Sequence, residues 1–101
     1  MYQRILVPVD GSPTSELGLQ EAMRLARLMH ADLRLIHVID ELSFALGIDS
    51  YGYYAGELLD LLRKNGEAIL QKATETVRAQ GIAVDSVLYE NLEKTVQQRV
   101  I

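Results

Sequence analysis

The run Arg4-Ile5-Leu6-Val7-Pro8-Val9-Asp10-Gly11-Ser12-Pro13 constrains the fold of this chain more than any other stretch. Its first half is short, apolar and rich in branched residues, the pattern of a buried strand rather than of one alternating between core and water. It breaks at Asp-Gly-Ser-Pro, a turn leading into a helix. Ser12 suits the N-cap, and Pro13 suits the first helical position, where the missing N–H would have had no partner. Asp10 is therefore expected at the carboxyl end of a parallel strand, beside a helix N-terminus. That is where ligands bind in open α/β sheets.

Beyond Pro13 the period changes. Leu19, Ala22, Ala26 and Met29 recur at helical spacing, with Glu16, Gln20, Glu21, Arg24 and Arg27 on other faces, which predicts a helix from about Pro13 to His30. Leu33 to Ile39 reads as a second buried strand closing on Asp40. Strand, helix and strand in this order make a right-handed βαβ unit with parallel strands. Periodicity fails from Asp40 to Gly56, where Gly47, Gly52 and Gly56 alternate with Phe44, Tyr51, Tyr53 and Tyr54. Long loops of this kind are usually functional or disordered. This one reads either as a lid over a ligand or as an excursion whose tyrosines pack on the body or on a partner subunit.

A longer helix carries the stripe Leu59, Leu62, Gly66, Ile69, Ala73 and Val77, with Asp60 and Lys64 spaced for an i,i+4 pair. Gly66 in mid-helix costs about 1 kcal/mol against alanine unless close packing explains it. Gly81 is the expected stop. Ile82 to Tyr89 gives a third strand whose looser alternation suits a sheet edge. Leu92 to Ile101, with Leu92, Val96 and Val100 along one face, reads as the start of a further helix. It carries no stop signal, and the end at Ile101 is expected to be an interruption.

Composition narrows the function classes. The 101 residues suffice for one domain, with 49% hydrophobic and 24% charged residues. A net charge of −4 without a basic block argues against a nucleic-acid partner. With no cysteine, disulfides, thiol catalysis and cysteine metal sites are excluded. No run approaches the ~20 apolar residues of a membrane span, and the N-terminal apolar run is too short for a signal peptide. The expectation is a cytoplasmic α/β domain without a membrane partner.

Individual residues admit a structural and a functional reading. Asp10 could serve only as a turn former. His37 reads as a packed or edge-facing residue rather than a base or metal ligand, because no second His, Cys or carboxylate falls near it at ligand spacing. His30 suits a helix C-terminus. Ser12 and Ser15 read as caps rather than nucleophiles. No catalytic constellation emerges, and no metal site.

The motif Arg4 to Ser12, followed at this distance by Leu35-Ile36-His37-Val38-Ile39-Asp40, resembles the universal stress protein family, and the element order β-α-β-α-β-α extends the resemblance over the whole chain. It implies an open parallel sheet of five strands, order 3-2-1-4-5, with helices on both faces: an adenine nucleotide alpha hydrolase-like, Rossmann-like α/β fold. The present chain would supply strands 3, 2 and 1. In the family's nucleotide-binding branch the end of the first strand lines an adenosine pocket. Carried over by position, the resemblance implies Pro8, Val9 and Asp10, with Asp10 accepting hydrogen bonds from adenosine, and Val38, after the strand histidine, against adenine. The cofactor implied is ATP or another adenine nucleotide, with Mg.

The family's triphosphate-binding segment, Gly-x2-Gly-x9-Gly-Ser/Thr after the fourth strand, has no counterpart here, and Gly47, Gly52 and Gly56 have the wrong spacing. Without a fourth strand, the edge of the first would be apolar and open to strand exchange. A homo-oligomer, a dimer or a strand-exchanged one, is expected. Three functions stay open: a stress-response domain of the ATP-binding type acting through oligomerisation, an interaction module of the same fold that binds no nucleotide, and an ATP-hydrolysing enzyme. The last would need a phosphate loop and a positioned acid or base. The chain on its own is expected to bind ATP weakly or not at all.

Overall fold

The computed structural model describes residues 3–40, 55–92 and 95–100. Strand β1 (Arg4–Pro8) leads into helix α1 (Pro13–Met29) and strand β2 (Asp32–Asp40). Helix α2 (Ala55–Ala79) connects to strand β3 (Val84–Leu92), and β4 (Thr95–Val100) follows. The strands form one sheet in the order β1-β2-β3-β4. β1, β2 and β3 are mutually parallel, with Val7 opposite Leu35 and His37 opposite Leu88. This is the expected α/β fold with strands in the order 3-2-1.

Both described helices lie on one face of the sheet. Gly11 at the start of α1 sits against Ile69 of α2, and Arg27 donates to the Gln80 side chain at 2.9 Å. Two right-handed crossovers moving in the same direction along a sheet must stack their helices on the same side. The core between layers joins Val7 and Val9 of the first strand run, Leu33, Leu35 and Ile39 of β2, and Leu88 of β3. They meet Leu19, Met23 and Ala26 of α1 and Leu70 and Val77 of α2. The opposite face carries Leu6 and Val38, both exposed.

Backbone pairing explains how β1 tolerates a proline. The Asp32 N–H donates to the Gln3 carbonyl at 3.0 Å, and the Val9 N–H donates to the Ile36 carbonyl at 2.8 Å. Odd-numbered residues of this run thus turn their polar groups to β2, and Arg4, Leu6 and Pro8 turn theirs to the other side. Among the described residues nothing pairs there, because β1 ends the sheet. Pro8 therefore removes a donor from the open edge and none from the ladder.

Two expectations are corrected. The segment from Leu92 is not a helix: β3 runs on to Leu92, and Thr95–Val100 returns antiparallel to it, Val87 facing Val100 and Leu92 facing Thr95. Val96 and Val100 are four apart, which fits one face of a helix and one face of a strand equally well. Pairing with β3 decides between them. For the same reason β3 is not an edge strand; β2 and β4 flank it, and the consecutive Val87 and Leu88 are fully buried. The lid reading falls on residues 41–54, outside the described residues.

The punctuation of the sequence is where it was expected. Gly81 takes φ +74° and its N–H donates to the Arg78 carbonyl at 2.9 Å. Gly66 is buried: a Cβ there would lie 2.7 Å from His37 Cδ2 and 3.0 Å from Leu88 Cδ1. Close packing of α2 on the sheet accounts for this mid-helix glycine.

Candidate functional site at the end of the first strand

The turn after β1 is locked by its own side chains. Asp10 Oδ1 accepts the Ser12 N–H at 2.8 Å, a local bond that Asp favours in turns. Gly11 supplies the left-handed φ of +82° that lets the chain reverse. Ser12 Oγ then accepts the Ser15 N–H at 3.1 Å, capping α1, and Ser15 Oγ accepts the Asp10 N–H at 3.1 Å. Ser12 is the N-cap as expected, and Ser15 instead ties the turn before it to the first turn of the helix. The Asp10 carboxyl is held below its ordinary value by hydrogen bonds from Ser12, hydroxyl first and then N–H, with a weaker attraction from His37. At neutral pH it is an exposed carboxylate at a helix N-terminus.

The register carries β2 past the end of β1. Pro8 stands opposite Ile36, so Val38 comes level with Asp10. Pro8, Val9, Asp10 and Val38 line a cavity of about 550 Å³ that wraps the open edge of β1 beneath Gly18 and Ala22 of α1. They contribute unequally. Pro8 and Val38 offer exposed apolar surface, Val38 being 49% exposed. Val9 is 4% exposed, its side chain in the core and its carbonyl taken at 2.8 Å by His37 Nδ1. A carbonyl only accepts, so Nδ1 carries the proton. His37 is a packed residue, as expected.

A second polar feature near the carboxyl ends of the strands escapes sequence reasoning. Glu90 of β3 is 4% exposed and is gripped bidentately by Arg63 of α2, whose Nη2 donates to Oε2 at 2.9 Å and whose Nε donates to Oε1. Asp60 meets the same guanidinium at 3.5 Å. The expected Asp60–Lys64 pairing is thus replaced by one to Arg63. The available signal was Arg63 itself, a cation on the stripe that continues through Gly66, Leu70, Ala73 and Val77. On the face turned away from both described helices Arg34 grips Asp85 with bonds of 2.9 and 2.8 Å and holds its carboxyl below the ordinary value. Among the described residues no three His, Asp or Glu side chains gather as a metal site, and no helix is long and apolar enough to cross a membrane.

Comparison with known proteins supports the architecture. The model of the universal stress protein family matches residues 1–100. A universal stress protein of Methanocaldococcus jannaschii is 27% identical over 93 residues, which are 91% of this chain and 53% of that protein. One from Bacillus subtilis is 31% identical over 98 residues, 92% of this chain and 66% of that protein. The crystal structure of a universal stress protein family member from Burkholderia pseudomallei superposes with a TM-score of 0.72 at 30% identity, covering 93% of this chain and 65% of that one. This chain thus spans between 53% and 66% of the length of these relatives. It belongs to the universal stress protein family.

Proposed function

We propose that the end of β1 binds the adenosine part of an adenine nucleotide, and that the chain is a stress-response domain of the nucleotide-binding type. The observation that carries this reading is the exposed Asp10 carboxylate, fixed by Ser12 and level with the exposed Val38 across a cavity of about 550 Å³. A carboxylate supplies acceptors for hydroxyl or amine donors, and Pro8 with Val38 supplies a flat apolar surface for a purine. The described residues fit the nucleoside better than the phosphates, because the sequence has no glycine-rich segment of the family's spacing to give backbone N–H donors.

Titration calorimetry with adenosine and with ATP and Mg tests this. Adenosine should bind, and ATP should bind little more tightly. Asp10→Asn, which keeps the turn's acceptor and removes the charge, should weaken adenosine about tenfold, the scale of one hydrogen bond to a charged group. Equal affinity in both proteins would overturn the assignment of Asp10.

The open β1 edge and the exposed Leu6 and Val38 favour a second reading, an interaction module that works by association of copies and needs no nucleotide. Self-association unaffected by Asp10→Asn and by adenosine would support it. We propose no catalytic step for either.

A further inference from the structure

We propose that His37 is the positioning residue of this site: its ring holds the Val9 carbonyl and thereby fixes the peptide that presents Asp10 to the cavity. The inference rests on the nucleoside-binding reading for its ligand but on geometry for its substance. β1 pairs with β2 only as far as Pro8, so the Val9–Asp10 peptide lies beyond the regular ladder. Two bonds tie Val9 back to β2. Its N–H reaches the Ile36 carbonyl at 2.8 Å, and its carbonyl takes the His37 ring N–H at 2.8 Å. The second is made by a side chain and depends on where that ring is seated.

The seat is built by α2 and β3. The ring edge rests against Gly66, where any Cβ would come within 2.7 Å of Cδ2, and Leu88 closes in on the same point. A glycine in mid-helix, at a propensity cost of about 1 kcal/mol, leaves room for the imidazole between helix and sheet where any Cβ would crowd it. Asp10 is thus anchored twice. Ser12 and Ser15 fix it to α1, and His37 fixes the peptide before it to β2. Removing the second anchor leaves the turn tied to the helix alone.

Three substitutions separate a donor from a space-filler. Asn at 37 carries an amide nitrogen at the same branch as Nδ1, so His37→Asn keeps the donor. His37→Leu fills similar space without one. Gly66→Ala keeps the histidine in the chain and pushes its ring off its seat. The readouts are the titration of the Asp10 carboxyl followed by NMR and the dissociation constant for adenosine. His37→Leu and Gly66→Ala should bring Asp10 up toward ordinary carboxylate behaviour and weaken adenosine about fivefold to tenfold, the loss of one hydrogen bond. His37→Asn should stay within about twofold of the parent in affinity and keep the Asp10 titration.

An Asp10 titration unchanged in both His37→Leu and Gly66→Ala would overturn the proposal. So would a His37→Asn protein as impaired as His37→Leu, since packing or the charge of the imidazole would then be what matters. If adenosine does not bind the parent chain, the nucleoside reading fails by itself. The Asp10 titrations still decide whether His37 positions it.

Discussion

His30 closes α1 in a conformation that suits glycine. Its φ of 54° and ψ of 44° are left-handed, where a side chain costs about 1–2 kcal/mol. Gly11 and Gly81 meet the same demand without that cost. The imidazole at a helix C-terminus recovers part of it through the helix dipole. The balance favours glycine: His30→Gly should stabilise the fold by about 0.5–1 kcal/mol, raising Tm by about 3–6 °C in calorimetry. An unchanged or lowered Tm would mean that the dipole interaction outweighs the backbone strain. Local chemistry of this kind is what a sequence displays. Asp10, Gly11, Ser12 and Pro13 are neighbours, and their turn and cap follow from their own side chains. The Arg63–Glu90 grip joins residues 27 apart in sequence, and only the seating of α2 on β3 brings them together.

That grip ties α2 to β3 through a bidentate pair whose carboxylate is buried. Arg63→Met would leave the Glu90 carboxylate buried without its guanidinium, a loss of about 3–5 kcal/mol for a buried pair broken on one side. Replacing both, with Glu90→Leu added, should recover most of it, since an apolar pair of similar volume is often as stable as a buried ion pair. Urea unfolding of the two variants tests this through the midpoint at constant slope. A double variant no better than Arg63→Met would show that Glu90 serves more than its arginine. At this scale the elements of the βαβαβ body were legible because each has one clear period. The last segment was not. Its apolar pair at Val96 and Val100 satisfies both periods, and the choice is made by β3, whose Val87 faces Val100 across the ladder.

At the scale of the molecule, layer count and edge exposure belong together. The principal extents are 46 × 26 × 17 Å and the radius of gyration 14.9 Å, against about 13 Å for a compact chain of this length. Both described helices lie on one face of the sheet, which makes for a broad and thin body. On the face turned away from those helices, Leu6 at 59% exposure lies at the open edge of β1. An exposed strand edge is a template for pairing with another chain, and natural edges are blunted by proline or charge. Pro8 is the blunting residue here, because its missing N–H is on the open side. Pro8→Val restores an outward donor between the outward groups of Leu6 and the Asp10 turn while leaving every bond to β2 in place. Sedimentation velocity across a concentration series should then show greater association for Pro8→Val than for the parent, with unchanged circular dichroism. Adding Leu6→Lys should reverse it, because a charge beside the edge disfavours stacking and pairing alike. If Pro8→Val associates no more than the parent, copies of this chain meet through a surface other than β1, and the edge is protected by something other than its proline.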